Sequence, residues 1–256
     1  MSGPLLHVQE FGAGPAVVLL HGLFGSADNW RPIAVRLAER FHVLVIDQRN
    51  HGASPHHAEM DYPLMAADVA GLLAARGVTR VRVVGHSMGG KTAMQLALQC
   101  PECVERLVVA DIAPREYAPH LEPLVRALRA LDLARYQTRQ QIEDALEPAI
   151  PDLSLRRFLL KNLGRDGAGR FAWKINLRGI ADNYARLCEP LDGPQPYCGA
   201  ALFLRAGQSD YISGADESRI RELFPAAQIH TMPGVGHWIH AEQPEEFLRL
   251  VLDFFH

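Results

Sequence analysis

The sequence predicts an α/β fold: a mostly parallel, doubly wound sheet with helices on both faces and one mainly helical segment inserted into it. Three observations carry this. Short apolar runs alternate with amphipathic stretches, the alternation continues along most of the 256 residues, and it lapses once, between Asp111 and Pro190.

The expected strands are Leu5–Val8, Ala16–Leu20, His42–Ile46, Val81–Val84, Leu107–Ala110, Ala200–Leu204 and Gln228–Met232. Each is a brief run rich in Val, Leu and Ile, as fits a strand buried on both faces. Between them, "PIAVRLAER" and "MAADVAGLLAARG" repeat their apolar residues at helical spacing. In the lapse the helical pattern persists without a buried-strand run: Leu121, Leu124, Val125 and Leu128, then Ile142, Leu146 and Ile150, then Leu155, Phe158 and Leu159. "FAWKINL", with Phe171, Trp173, Ile175 and Leu177 alternating, reads as an extended piece within it. An insert this long exceeds by far the roughly 15 residues of an ordinary loop. The predicted organisation is therefore a core of residues 1–111 and 190–256 carrying a helical cap, residues 112–189.

Composition excludes several functions. Nearly half the residues are hydrophobic, enough for a substantial core, and the net charge of -3 offers no basic face for a nucleic acid backbone. No apolar run approaches the roughly 20 residues that span a bilayer, and "MSGPLLHVQEFG" lacks a secretory pattern. A soluble, cytoplasmic protein without a membrane span is expected. The four cysteines, at 100, 103, 188 and 198, do not look like a disulfide framework in a chain of this length; the C-x-x-C of Cys100 and Cys103 is only a weak signal for a redox or zinc half-site, and the cysteines are read as structural. No metal site is expected.

The chemistry starts at "VGHSMGGK", residues 84–91. A strand that turns abruptly into a helix while pushing one side chain outward crowds its neighbours, so small residues are needed two positions before and after. Gly85, Ser87 and Gly89 meet that spacing, and "KTAMQLALQ" follows as a helix. Ser87 then stands at a helix N-terminus as a candidate nucleophile.

A serine hydroxyl needs a base to take its proton. Of twelve histidines, His237 in "PGVGHWIHAEQPEEF" follows the last strand on a glycine-containing loop at the same edge as Ser87. His240 is the competitor, whereas His86 sits beside Ser87 in a turn that directs the two side chains apart. The imidazole requires a carboxylate to fix its tautomer. Asp111, at the end of the strand after the elbow, and Asp210, after the penultimate strand, both belong to strands lying between those of Ser87 and His237. Spacing alone does not choose between them.

Negative charge developing on a tetrahedral intermediate needs donors. The backbone N–H of Met88 is one; the loop "HGLFGS" supplies the other through Leu23, with Phe24 as alternate. His21 is expected to tie that loop down, and "DQRNHGAS" to brace itself through its own polar side chains. Phe24, Trp173 and Trp238 are candidates to line a substrate pocket.

Taken together, "HGLFGS", "DQRNHGAS", "GHSMGGK", "DIAP" and "GHWIHAEQP" resemble, in order and spacing and over essentially the whole chain, the α/β-hydrolase superfamily and within it the YbfF-type esterases. The resemblance implies a Ser-His-Asp hydrolase of carboxylic esters and acyl thioesters, working without a cofactor on a small-molecule substrate. It favours Asp111 as the acid; the chain departs from that group in also keeping an acid at Asp210, with Ser209 as an additional hydrogen-bond partner. Two other readings share the fold: a carbon-carbon bond hydrolase with the same triad, and a non-catalytic ligand-binding homologue. An epoxide hydrolase or dehalogenase is disfavoured, because those place a carboxylate where Ser87 stands.

Overall fold

A computed structural model describes residues 6–256 of the chain. Nine strands are present among them: β1 Val8–Phe11, β2 Ala16–Leu20, β3 His42–Ile46, β4 Val81–His86, β5 Val104–Ala110, β6 Leu163–Arg165, β7 Phe171–Trp173, β8 Ala200–Ala206 and β9 Ala227–Met232. Ten helices accompany them: α1 Arg31–Leu37, α2 Tyr62–Ala75, α3 Met88–Gln99, α4 Glu122–Ala130, α5 Arg139–Leu146, α6 Leu153–Leu160, α7 Leu177–Cys188, α8 Glu217–Leu223, α9 Ile239–Glu242 and α10 Pro244–Phe255.

Seven strands form one sheet in the order β1-β3-β2-β4-β5-β8-β9. β1 runs antiparallel to β3, and every other pairing is parallel. The sheet separates two buried clusters. Val18, Leu20, Leu44, Ile46 and Val83 point to the side of α2 and α3, while Val17, Leu19, Val43, Val45 and Val84 point to the side of α1 and α10. Burial on both faces explains why these strands read as continuous apolar runs.

Residues 112–189 contribute α4 to α7 and the β6-β7 hairpin. Their apolar residues, among them Leu128, Ile142, Leu146, Leu160 and Ile180, belong to the same cluster as α2 and α3, so this segment extends the core on that side. Polar side chains fasten it to the sheet's loops: Asn162 Nδ2 donates to the Phe24 carbonyl (2.7 Å), Asn183 Nδ2 to the Ala58 carbonyl (2.7 Å), and Asn176 Nδ2 to Asn50 Oδ1 (3.0 Å).

Two expectations need correction. The first strand lies at Val8–Phe11, later than the expected Leu5–Val8, of which Leu5 is outside the described residues. The register that pairs Val8 with Ile46 and Phe11 with Val43 selects the later position. In addition, Cys100 and Cys103 are bonded to each other across a 3-10 turn, whereas Cys188 and Cys198 are free. The turn brings the Cα atoms of the first pair to 5.4 Å, within disulfide range.

Backbone strain is concentrated at one end of the sheet. Among the described residues, four non-glycine positions have positive φ: Phe24 (60°), Asn50 (66°), Ser87 (53°) and Asp111 (50°). They follow the C-terminal ends of β2, β3, β4 and β5, four adjacent strands. Such conformations persist where the surrounding structure over-determines them, and functional sites are where they cluster.

Candidate active site

Ser87 occupies the junction of β4 and α3 with φ 53° and ψ -120°, its N–H bonded to the Ala110 carbonyl at 3.0 Å. The turn is tight enough that a Cβ on Gly85 would strike the Gly89 carbonyl, and one on Gly89 would strike the carbonyls of Leu20 and His21. These close approaches are the physical reason for the two glycines. Ser87 lines a cavity of about 430 Å³, open mouth included, together with Leu23, Met88 and Tyr211.

The N–H groups of Leu23 and Met88 make no hydrogen bond within the described residues. The alternate donor is committed elsewhere: the Phe24 N–H donates to His51 Nε2 at 3.1 Å, which removes it as an oxyanion donor. Two neutral imidazoles hold this loop. His51 donates from Nδ1 to the Arg49 carbonyl (3.0 Å), and His21 donates from Nδ1 to the Gly22 carbonyl (2.9 Å) while its Nε2 accepts from the Gln48 N–H (3.1 Å). Burial pushes the His51 pKa down to about 3 and lowers that of His21 as well, so both rings keep an acceptor nitrogen for these bonds. The "DQRNHGAS" loop is braced both within itself and from outside: Asp47 accepts from the Ala53 N–H (2.9 Å) inside the loop and from the Ala27 N–H (2.6 Å) beyond it, and Arg49 forms a forked pair with Asp68 of α2 (2.6 and 2.8 Å).

His237 lies on the loop between β9 and α9, its side chain 21% exposed. Its Nδ1 donates to Asp111 Oδ2 at 2.8 Å, and Asp111 is wholly buried. The same carboxylate accepts from Ser209 Oγ (2.6 Å) and, through Oδ1, from the Ala206 N–H (2.9 Å). Tyr211 stacks on the His237 ring with centroids 4.0 Å apart and planes 22° apart. No hydrogen bond joins His237 Nε2 to Ser87 Oγ; bonds of this kind are often long until substrate is bound.

Asp210 is exposed, and among the described residues its carboxylate makes no hydrogen bond or ion pair, only its backbone carbonyl being used, by Arg115. The hydroxyl of Ser209, one residue earlier, is what reaches the Asp111–His237 pair. His86 turns its Nε2–H to the His237 carbonyl at 2.9 Å, fixing the loop that carries the imidazole. His240 is buried, stacked on Trp30 (4.4 Å, 29°), and burial takes its pKa to about 3.

The pocket expectations need revision. Phe24, Trp173 and Trp238 do not line the cavity at Ser87. Phe24 is buried in the core, Trp173 packs against that same cluster from β7, and Trp238 meets Phe158 with centroids 5.7 Å apart and planes tilted by 47°. The cavity is walled instead by Tyr62, Tyr117, Tyr184 and Tyr211, with Lys91 among them. These sit on separate elements, so no local pattern announces them. Lys91 alone carried a signal, standing one helical turn after Ser87.

A family model described as the alpha/beta hydrolase fold matches residues 15–141. The chain is 42% identical to a Mus musculus protein named sn-1-specific diacylglycerol lipase ABHD11, over 94% of this chain and 80% of that one. The chain belongs to the α/β-hydrolase family. This hydrolase-family chain is also 35% identical to Esterase YbfF of Escherichia coli (strain K12), covering 92% of the chain and 91% of the relative. Among solved structures, one titled "Marine microorganism esterase" superposes with a TM-score of 0.96 at 41% identity, covering 98% of this α/β hydrolase and 100% of that chain. Within the described residues no helix is long and apolar enough to cross a membrane.

Proposed function

We propose that the protein is a serine hydrolase that cleaves carboxylic esters of small molecules, its range extending to acyl thioesters, through an acyl-enzyme on Ser87. One observation carries the reading: Ser87 lines one cavity with Leu23 and Met88, whose N–H groups have no partner among the described residues, and Tyr211 of the same wall stacks on an imidazole whose Nδ1 is held by a buried carboxylate. The names of the relatives, esterases and a lipase, support the same reaction class.

The chemistry follows from the hydrogen bonds. With Nδ1–H given to Asp111, Nε2 of His237 carries the lone pair that removes the Ser87 proton as the hydroxyl attacks the ester carbonyl. The carbonyl oxygen takes the electron pair and is met by the Leu23 and Met88 N–H groups, the latter at the N-terminus of α3, where the dipole favours negative charge. Collapse of the intermediate expels the alcohol, which receives the proton from His237. Water then attacks the acyl-enzyme by the same route and releases the acid. Asp111 and Ser209 act by holding the imidazole. The segment 112–189 acts as a cap over the cavity, its Tyr117, Tyr184, Leu187 and Cys188 forming part of the wall.

The test is hydrolysis of 4-nitrophenyl butyrate by the wild type and by Ser87→Ala. The reading expects turnover by the wild type and a loss of at least about a thousandfold in the variant, with an unchanged circular dichroism spectrum. Comparable rates from the two proteins would refute it.

A further inference from the structure

Lys91 is 1% exposed and lines the Ser87 cavity, yet it has no carboxylate partner among the described residues. Its Nζ donates to one acceptor, the Glu189 carbonyl, at 2.5 Å. Two tyrosine faces supply the rest of its surroundings, Tyr62 with its centroid at 5.0 Å and Tyr117 at 5.2 Å. Neither tyrosine hydroxyl turns towards the ammonium: that of Tyr62 donates to the Leu187 carbonyl (2.9 Å) and that of Tyr117 to the Tyr211 carbonyl (2.6 Å). Among the described residues, two of the three ammonium N–H groups are therefore left without a hydrogen-bond acceptor. The neighbouring cation differs, since Arg115 is paired with Asp216 at 2.9 Å. A buried charge normally has a partner, because desolvation without one is expensive. Burial does push the Lys91 ammonium down to about 8, the direction expected of an uncompensated cation.

The position makes this more than a packing feature. Lys91 lies one helical turn after Ser87, its N–H bonded to the Ser87 carbonyl at 3.0 Å, and both residues line the same cavity. An anion meeting Lys91 is within a short spacer of a carbonyl held at Ser87. We infer that Lys91, framed by Tyr62 and Tyr117, is an anion subsite of the cavity that takes a carboxylate carried by the substrate ester. For its catalytic consequence the inference rests on the Ser87 reading; for binding it does not. A clamp between α3 and Glu189 accounts for only one of the three N–H groups.

The experiment has a binding arm and a kinetic arm. In the Ser87→Ala protein, calorimetry compares glutarate with its neutral isostere glutaramide. Glutarate should bind at least tenfold more tightly, and Lys91→Met should erase the difference; equal binding of the two, or binding of neither, would overturn the subsite. If Lys91→Met fails to fold, the comparison of the two ligands still decides. In the kinetic arm, mono(4-nitrophenyl) glutarate and 4-carboxyphenyl butyrate are each compared with an uncharged analogue. Lys91→Met should lower the charged-to-neutral ratio of kcat/KM at least tenfold for one of them, which tells whether the carboxylate sits on the acyl or the alcohol side. Unmoved ratios for both sink the proposal. Selective glutarate binding without turnover of any ester would leave the subsite standing and count against the Ser87 reading.

Discussion

His237 Nδ1 lies 2.8 Å from Asp111 Oδ2, and no hydrogen bond links the same ring to Asp210. The carboxylate is buried, takes two further donors from Ser209 and Ala206, and sits at a backbone φ of 50° that few non-glycine residues adopt. Such a carboxylate is held by its surroundings instead of by chance. Asp111→Asn should therefore reduce kcat by up to about four orders of magnitude, as expected when an imidazole loses the partner that sets its tautomer. Asp210→Asn should change kcat by less than about threefold. Steady-state kinetics of the two variants on one ester checks this, and similar losses from both would refute the assignment.

The loop bearing Leu23 depends on His51, which accepts the Phe24 N–H. His51→Ala leaves that buried donor without a partner, at a cost of about 1–3 kcal/mol, and loosens the neighbouring Leu23 N–H. A fall in kcat of about tenfold is expected, larger than the change in KM, together with a lower urea midpoint. An unaltered kcat in a folded variant would show that the loop does not need this brace.

Much of this architecture could be read before any coordinates, and the reasons are local. The runs Ala16–Leu20 and His42–Ile46 coincide with β2 and β3 to the residue, because a strand buried on both faces leaves little ambiguity in an apolar run. Gly85 and Gly89 were legible because sterics impose them. What escaped lies in long-range pairing. The choice between Asp111 and Asp210 turns on which side chain meets an imidazole more than 25 residues further along, and spacing is silent on that. The tyrosines of the cavity come from α2, α7 and two loops, and Trp173 and Trp238 looked like pocket residues only because large aromatics near a site invite that reading. Asn162, Asn176 and Asn183, which bolt residues 112–189 to the loops of the sheet, sit in no recognisable pattern.

Stability should depend on pH through buried imidazoles. Burial takes the pKa of His51 and His240 down to about 3 and depresses His21 and His86 as well. In the unfolded chain each titrates near 6.5. Above that value neither state takes up protons at these sites, and their neutral burial carries no penalty. As the pH falls below about 6.5, the unfolded state binds protons that the folded state refuses, and each group removes up to about 1.4 kcal/mol per pH unit until its folded pKa is reached. The urea midpoint should thus drop steeply between pH 7 and pH 5. A midpoint that is constant over that interval contradicts the account.

At the elbow, Gly89→Ala places a methyl group against the carbonyls of Leu20 and His21, both backbone atoms of the sheet's β2 end. Backbone cannot move aside as a side chain tip can. The variant should lose several kcal/mol of stability, on the order of 3 or more, or fail to accumulate as folded protein. Gly71→Ala on the outer face of α2, where nothing lies within 4 Å of the added carbon, is the control and should be neutral or slightly stabilising. Equal midpoints for the two variants would remove the steric explanation of the glycine spacing.

The central claim, that the Ser87 hydroxyl is activated by His237, is tested most directly by labelling folded protein with a fluorophosphonate and mapping the adduct by mass spectrometry. The account predicts one adduct, on Ser87, formed rapidly in the wild type and largely abolished by His237→Ala. Folded wild-type protein in which Ser87 stays unmodified while the probe reacts elsewhere or not at all would contradict it.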